Sequence, residues 1–486
     1  MRMEFRRGAD LAAICAALAA CLAARGAEDF APFAIRPKEM QPGRGGYTLP
    51  ADLEIRSTAK AKEKLWVLAE KFAGTSLSLR VATIAPAGVE AVAVGDAAVE
   101  ARVLEVPPRA EGFVLEVSPK GFLVLGRDAQ SIQWGLLCLR ETMDVGRRFI
   151  PSCFVRDWPD AAWRGVHCRL PSQAQFKEFT RFVDEVLLPG RINFAVIEVN
   201  YRMQFRSRRE IEDPLAQPAE FCAELAALLA SRGMRAIPEF KSIGNQSGAA
   251  RNHALLAAHP ELDETPGLKF GDPRLPSRSW CPRHPALPDI LFPLWSDITK
   301  AFGSTHFHIG LDGAFLLAHE ECPRCGRSSA WEVLAAAILQ YHAFLRGKEN
   351  TALMWGDRLL DAAAQGYAKF EGGDLQTAKA LACLPRDIII CDRHSAVRAD
   401  YPSLARFQRE GFKTLACPGP DPETVRALWS GAQRERTPLF LGCLAMTGTE
   451  FAPLAEALFG TRGAPEAARA AEALKLAARL AWQGKE

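Results

Sequence analysis

No charge of one sign predominates in this chain of 486 residues. Sixty basic residues against 57 acidic ones leave a formal net charge of +3, far from the basic footprint that non-specific nucleic-acid binding needs. A membrane-spanning run is also missing. The apolar stretch from Leu11 to Ala24 falls short of the ~20 residues that cross a bilayer as a helix. A composition of 48% hydrophobic and 24% charged residues excludes a multispanning membrane protein, a disordered chain and a collagen-like repeat. No glycine fingerprint follows the first strand of the second region, which argues against a doubly wound dinucleotide-binding sheet.

The leader comes first among what is present. Arg2, Arg6 and Arg7 precede the apolar run, and small residues follow it, the pattern of a secretory signal over residues 1–27. Leu18-Ala19-Ala20-Cys21 looks like a lipobox, so Cys21 is a candidate for lipidation; the alternative is plain cleavage near Gly26 or Ala27. Either implies export to the periplasm or cell envelope, with membrane attachment only through a lipid.

Two patterns follow. Residues 28–150 read as a small α+β domain. It has a strand at Leu53–Ile55, a helix at Ala59–Phe72, a hairpin from Phe113–Val117 and Gly121–Gly126 around Ser118-Pro119-Lys120, and a helix at Asp128–Met143. Over residues 151–462 the rhythm is strand, helix, strand, helix. Strands are expected at Gly165–Leu170, Asn193–Val199, Arg235–Phe240, His306–Leu311, Ala352–Trp355, Asp387–Cys391, Lys413–Ala416 and Pro438–Cys443. Eight apolar, helix-flanked runs predict a (β/α)8 barrel, with a helix within residues 463–486 packing on its outside.

In such a barrel chemistry sits at the C-terminal strand ends. That rule selects His167 and Arg169, Glu198 and Asn200, Glu239 and Lys241, Asp312, Trp355 and Asp357, and Asp392 with His394. His394 is read as a sugar contact or proton-transfer group, because an imidazole changes charge near neutrality. His308 is read as a partner behind the site, and His306 as a core or cap residue.

The order of several fragments resembles glycoside hydrolase family 20, the β-N-acetylhexosaminidases. They are Glu111-Gly112-Phe113, Lys120-Gly121-Phe122, Asp157-Trp158-Pro159, Trp163-Arg164-Gly165, Arg191-Ile192-Asn193, Ile237-Pro238-Glu239 and His308-Ile309-Gly310-Leu311-Asp312. The resemblance implies hydrolysis of terminal N-acetylhexosamine with the substrate's acetamido oxygen as nucleophile, and no cofactor. It also implies that Asp312 orients that group, and that Arg164 and Trp355 hold the sugar, with Glu198, Asn245 and His308 at further binding positions. The family's general-acid glutamate follows the aspartate; here that position is Gly313. Loss of a general acid costs about 100- to 10,000-fold in rate. Ile243-Gly244-Asn245 stands where the family has Pro-Gly-His, Lys241 where it has an acidic residue, and Glu198 where it has a histidine. Three explanations stay open: another carboxylate serves as acid (Glu239, Glu320, Glu321, Asp357 or Asp392), the protein binds glycans without cleaving them, or it has acquired another role. Asp312-Gly313 also suits a tight turn.

Cysteine is plentiful, at 13. Cys281-Pro282-Arg283-His284 and Cys322-Pro323-Arg324-Cys325 could supply three thiolates and an imidazole to a zinc ion. A disulfide or free thiols are the simpler expectations for an exported chain, and no metal is assigned. Cys138, Cys168, Cys383, Cys391 and Cys443 read as small core residues.

Overall fold

A computed structural model describes residues 34–485, except 73–74, 145–147, 212, 369–370, 374–375 and 461–462. The leader and Cys21 lie outside the described residues. The chain divides after Pro159 into two compact units. Strand β7 (Phe149–Asp157) pairs with β1 (Glu39–Thr48) and β5 (Phe113–Ser118), so the N-terminal unit extends past the expected boundary at 150.

The first unit is a seven-stranded sheet ordered β1-β7-β5-β6-β4-β2-β3, with β2 at Asp52–Ser57, β3 at Ser76–Val81, β4 at Glu90–Gly95 and β6 at Gly121–Gly126. The β5–β6 hairpin occupies the expected residues. Helix Ala129–Thr142 packs on β5 and β6 and is capped by Asp128, whose carboxylate accepts the Ser131 N–H at 2.6 Å. The helix expected over Ala59–Phe72 is true α-helix only at Ala59–Lys62 and then tightens into a 3-10 stretch, Leu65–Phe72. Thr58 sits at its N-cap but commits its hydroxyl to Glu90 and the Ala91 N–H, so the helix start goes uncapped.

The second unit is a closed parallel barrel of β8 (Trp163–Arg169), β9 (Phe194–Glu198), β10 (Arg235–Ser242), β11 (His306–Gly310), β12 (Thr351–Trp355), β13 (Ile389–His394), β14 (Lys413–Pro418) and β15 (Phe440–Met446). All eight expected strands form it. Helices follow the strands, and Pro465–Gln483 packs against β8 and β15. Because side chains alternate along a strand, one set fills the interior: Phe194, Val196, Ile237, Leu353, Trp355, Ile389, Cys391, Leu415, Cys417 and Leu444. Extending that alternation one or two steps toward the C-terminal ends aims Glu198, Glu239, Lys241 and Arg393 into the barrel mouth. No described helix is long and apolar enough to cross a membrane.

Candidate active site

The mouth holds a cavity of about 150 Å³ lined by His167, Arg169, Glu198, Glu239, Lys241, Asp312, Trp355 and Arg393, with Met446 to Thr449 along one side. Each carboxylate in it faces a cation. Glu239 is fully buried; its Oε2 lies 2.5 Å from His167 Nε2, and its Oε1 accepts the Trp355 indole N–H at 2.7 Å and lies 3.5 Å from His308 Nδ1. Burial pushes the Glu239 carboxyl up, but the charges of His167 and His308 and the His167 hydrogen bond outweigh it, and it stays well below the carboxylate range. Glu198 lies 3.2 Å from Lys241 Nζ and accepts the Asn200 amide at 2.9 Å. Asp312 accepts from Arg393 at 3.0 Å and from Asn245 at 3.2 Å. For Asp312 too burial raises the carboxyl, and Lys241 and Arg393 pull it below its usual value.

The backbone reaches this geometry through unusual turns. Strands β9, β10 and β11 run out into left-handed residues: Asn200 (φ 46°), Ile243 (φ 66°), Asn245 (φ 57°) and Leu311 (φ 86°). Left-handed backbone at a β-branched residue such as Ile243 is strained, and strain of this kind concentrates at functional sites. Asp312 and Gly313 do form a turn, and it abuts Gly244 backbone to backbone. A Cβ on Gly244 would lie 1.7 Å from the Gly313 carbonyl oxygen, and one on Gly313 would lie 2.2 Å from Asn245 Cγ. Asn245 therefore fills the space that a side chain at 313 would enter.

Residues 36–158 match the family model for glycosyl hydrolase family 20, domain 2. The chain is similar in fold to solved structures of that family over 92–94% of its length. One is the Bacteroides fragilis β-N-acetylhexosaminidase, at TM-score 0.63 and 16% identity over 92% of this chain and 89% of that one. Another is the Vibrio harveyi exo-β-N-acetylglucosaminidase in complex with N-acetylglucosamine, at 0.63 and 14% over 94% and 74%. A third is a mutant Streptomyces plicatus β-hexosaminidase in complex with the product N-acetylglucosamine, at 0.61 and 14% over 93% and 90%. Both units have the family-20 fold. No curated protein matches the chain in sequence.

Within this family-20 fold, the residues assigned by resemblance separate into two groups. Glu198, Glu239, Asp312 and Trp355 line the cavity, Asn245 braces Asp312, and His308 is buried behind Trp355 with ring centroids 4.5 Å apart. Arg164 is a correction. It stands at the start of β8, fully buried, donating to the Arg191 carbonyl at 2.8 Å and the Ala161 carbonyl at 2.9 Å, and lies 5.0 Å from the Trp482 ring. It fastens the start of β8 and is not among the residues that line the cavity.

The alternative acids also separate. Strand β13 continues through Asp392-Arg393-His394, so alternation sends Arg393 inward and its two neighbours outward. His394 and Asp392 are fully buried with Ser403, Tyr367 and Glu371, and neither lines the cavity. Asp357 is buried behind Arg393, to which it is hydrogen-bonded; burial raises its carboxyl, and its Oδ1 has no partner among the described residues. Glu320 and Glu321 are exposed and do not line the cavity. Arg393 is the site residue that strand-end counting passed over. It bridges Asp312 and Asp357 and lies 5.2 Å from the Trp355 ring. An inward-phase count along β13 would have found it.

Near the site, the loops after β10 and β11 bring Cys281, Cys322, Cys325 and Glu264 together, all buried. His284 stays out of that group, its Nδ1 accepting the Ala286 N–H at 3.2 Å.

Proposed function

We propose that the barrel mouth takes a terminal N-acetylhexosamine of a glycan and that the protein is an exported glycoside hydrolase of the hexosaminidase type. The observation carrying this reading is the convergence of seven polar or aromatic side chains from the strand ends around Asp312. The sugar-bound relatives of the same fold support the choice of ligand.

In this reading the acetamido oxygen bonds to the anomeric carbon while Asp312 orients the amide. Glu239 and Asp312 are both held below the usual carboxylate range, so neither is kept neutral to donate a proton. The donor is then His167, which Glu239 holds at 2.5 Å. As the glycosidic bond breaks, the His167 proton passes to the leaving oxygen. Water then opens the cyclic intermediate and returns a proton to His167. A chromogenic β-N-acetylglucosaminide tests this. Turnover should fall at least ~100-fold in His167→Asn while sugar binding persists; unchanged turnover in that variant contradicts the assignment.

A second reading, glycan binding without cleavage, is favoured by one observation: Asn245 closes the space next to Gly313. Saturable sugar binding with no turnover from pH 4 to 8 would select it. The proposed export, with lipid attachment at Cys21 as its stronger form, is tested by cell fractionation and by the mass of the mature N-terminus.

A further inference from the structure

We propose that Cys281, Cys322, Cys325 and Glu264 form a structural zinc site that ties together the two loops flanking the cavity. Their sulfur and carboxylate ligand atoms all lie within 4.8 Å of one another, and all four residues are buried. The Sγ atoms of Cys281 and Cys325 are 3.6 Å apart. Two sulfurs each about 2.3 Å from a tetrahedral zinc stand about 3.8 Å apart, whereas a disulfide closes to about 2.05 Å.

One further residue points to a cation. Glu264 is fully buried, yet among the described residues its carboxylate meets no cationic side chain. Its Oε1 faces the Cys325 sulfur at 2.8 Å and accepts the His319 N–H at 3.0 Å, while Oε2 is buried without a partner. A carboxylate enclosed in this way is costly without a positive charge beside it.

Four protein ligands leave no open position, which marks a structural site rather than a catalytic one. Binding would release the thiol protons to solvent. Its consequence is mechanical. Glu264 and Cys281 lie on the loop after β10, which carries Asn245 near its start; Cys322 and Cys325 lie on the loop after β11, which carries Asp312 near its start. A metal here pins both loops in the register that sets Asn245 against Asp312. The inference does not depend on the sugar-binding reading.

The test uses the full mature chain, isolated under reducing conditions, stripped with a chelator and titrated with cobalt(II). The expected result is saturation at about one equivalent, with thiolate-to-cobalt charge transfer and tetrahedral ligand-field bands that zinc abolishes. Cys322→Ser should weaken binding by at least about tenfold, and His284→Ala should leave it unchanged. Should Cys322→Ser fail to fold, the wild-type chain alone decides, because stripping should lower its thermal midpoint and re-addition of zinc should restore it. A chain with all thiols free that shows no cobalt bands overturns the proposal. So does a disulfide joining any two of the three cysteines in the freshly isolated protein.

Discussion

His394 is enclosed without solvent contact between the Tyr367 and Tyr401 rings, with Asp392 at 3.2 Å and Glu371 at 3.5 Å. Burial alone would lower its basicity, but the two carboxylates raise its pKa to about 9. Against an unfolded value of about 6.5, the folded chain binds this proton more tightly, a contribution of roughly 3 kcal/mol. That stability is fully present below pH ~6.5 and is lost as pH rises through about 9. Thermal midpoints measured across that window should fall, and should fall less in Asp392→Asn; a flat wild-type profile would contradict the assignment. The same residue shows why side-chain roles are harder to read than strands. Asp392 and His394 are polar residues at the end of an apolar run, as a site would use, but β13 is three residues longer than its apolar core. Its alternation aims Arg393, not its neighbours, at the cavity.

At the scale of elements, all eight barrel strands and the β5–β6 hairpin were legible because each is a short apolar run bounded by turn residues. The loops were not. The contact between Gly244 and Gly313 joins two βα loops far apart in sequence, and no local pattern announces that Asn245 will fill the space beside Gly313. Glu264 escaped notice for the same reason: it reaches the three cysteines only through tertiary packing. The loop contact has a consequence for restoring the family-20 acid. Gly313→Glu alone should give no gain in turnover and should destabilise by about 1–3 kcal/mol through overpacking against Asn245. Combining it with Asn245→Gly should recover that stability, since the second change frees the space and also suits the left-handed backbone at φ 57°. Denaturant midpoints of the two single variants and the double variant would check the coupling; strictly additive effects would deny it.

For the molecule as a whole, Trp355 joins stability to function, since its indole seals the barrel core and donates to Glu239. Trp355→Ala should cost about 3–5 kcal/mol in a urea titration, and it should also leave His167 without a firmly placed partner. The near-balanced charge of the chain suits a neutral ligand, and the charges it does carry inside the barrel are matched pair by pair around Asp312. Calorimetric titration of N-acetylglucosamine into the wild-type protein and into Asp312→Ala tests the central claim most directly. Saturable binding by the wild type that is lost in Asp312→Ala is the predicted result; no binding by either protein, or equal binding by both, would contradict it.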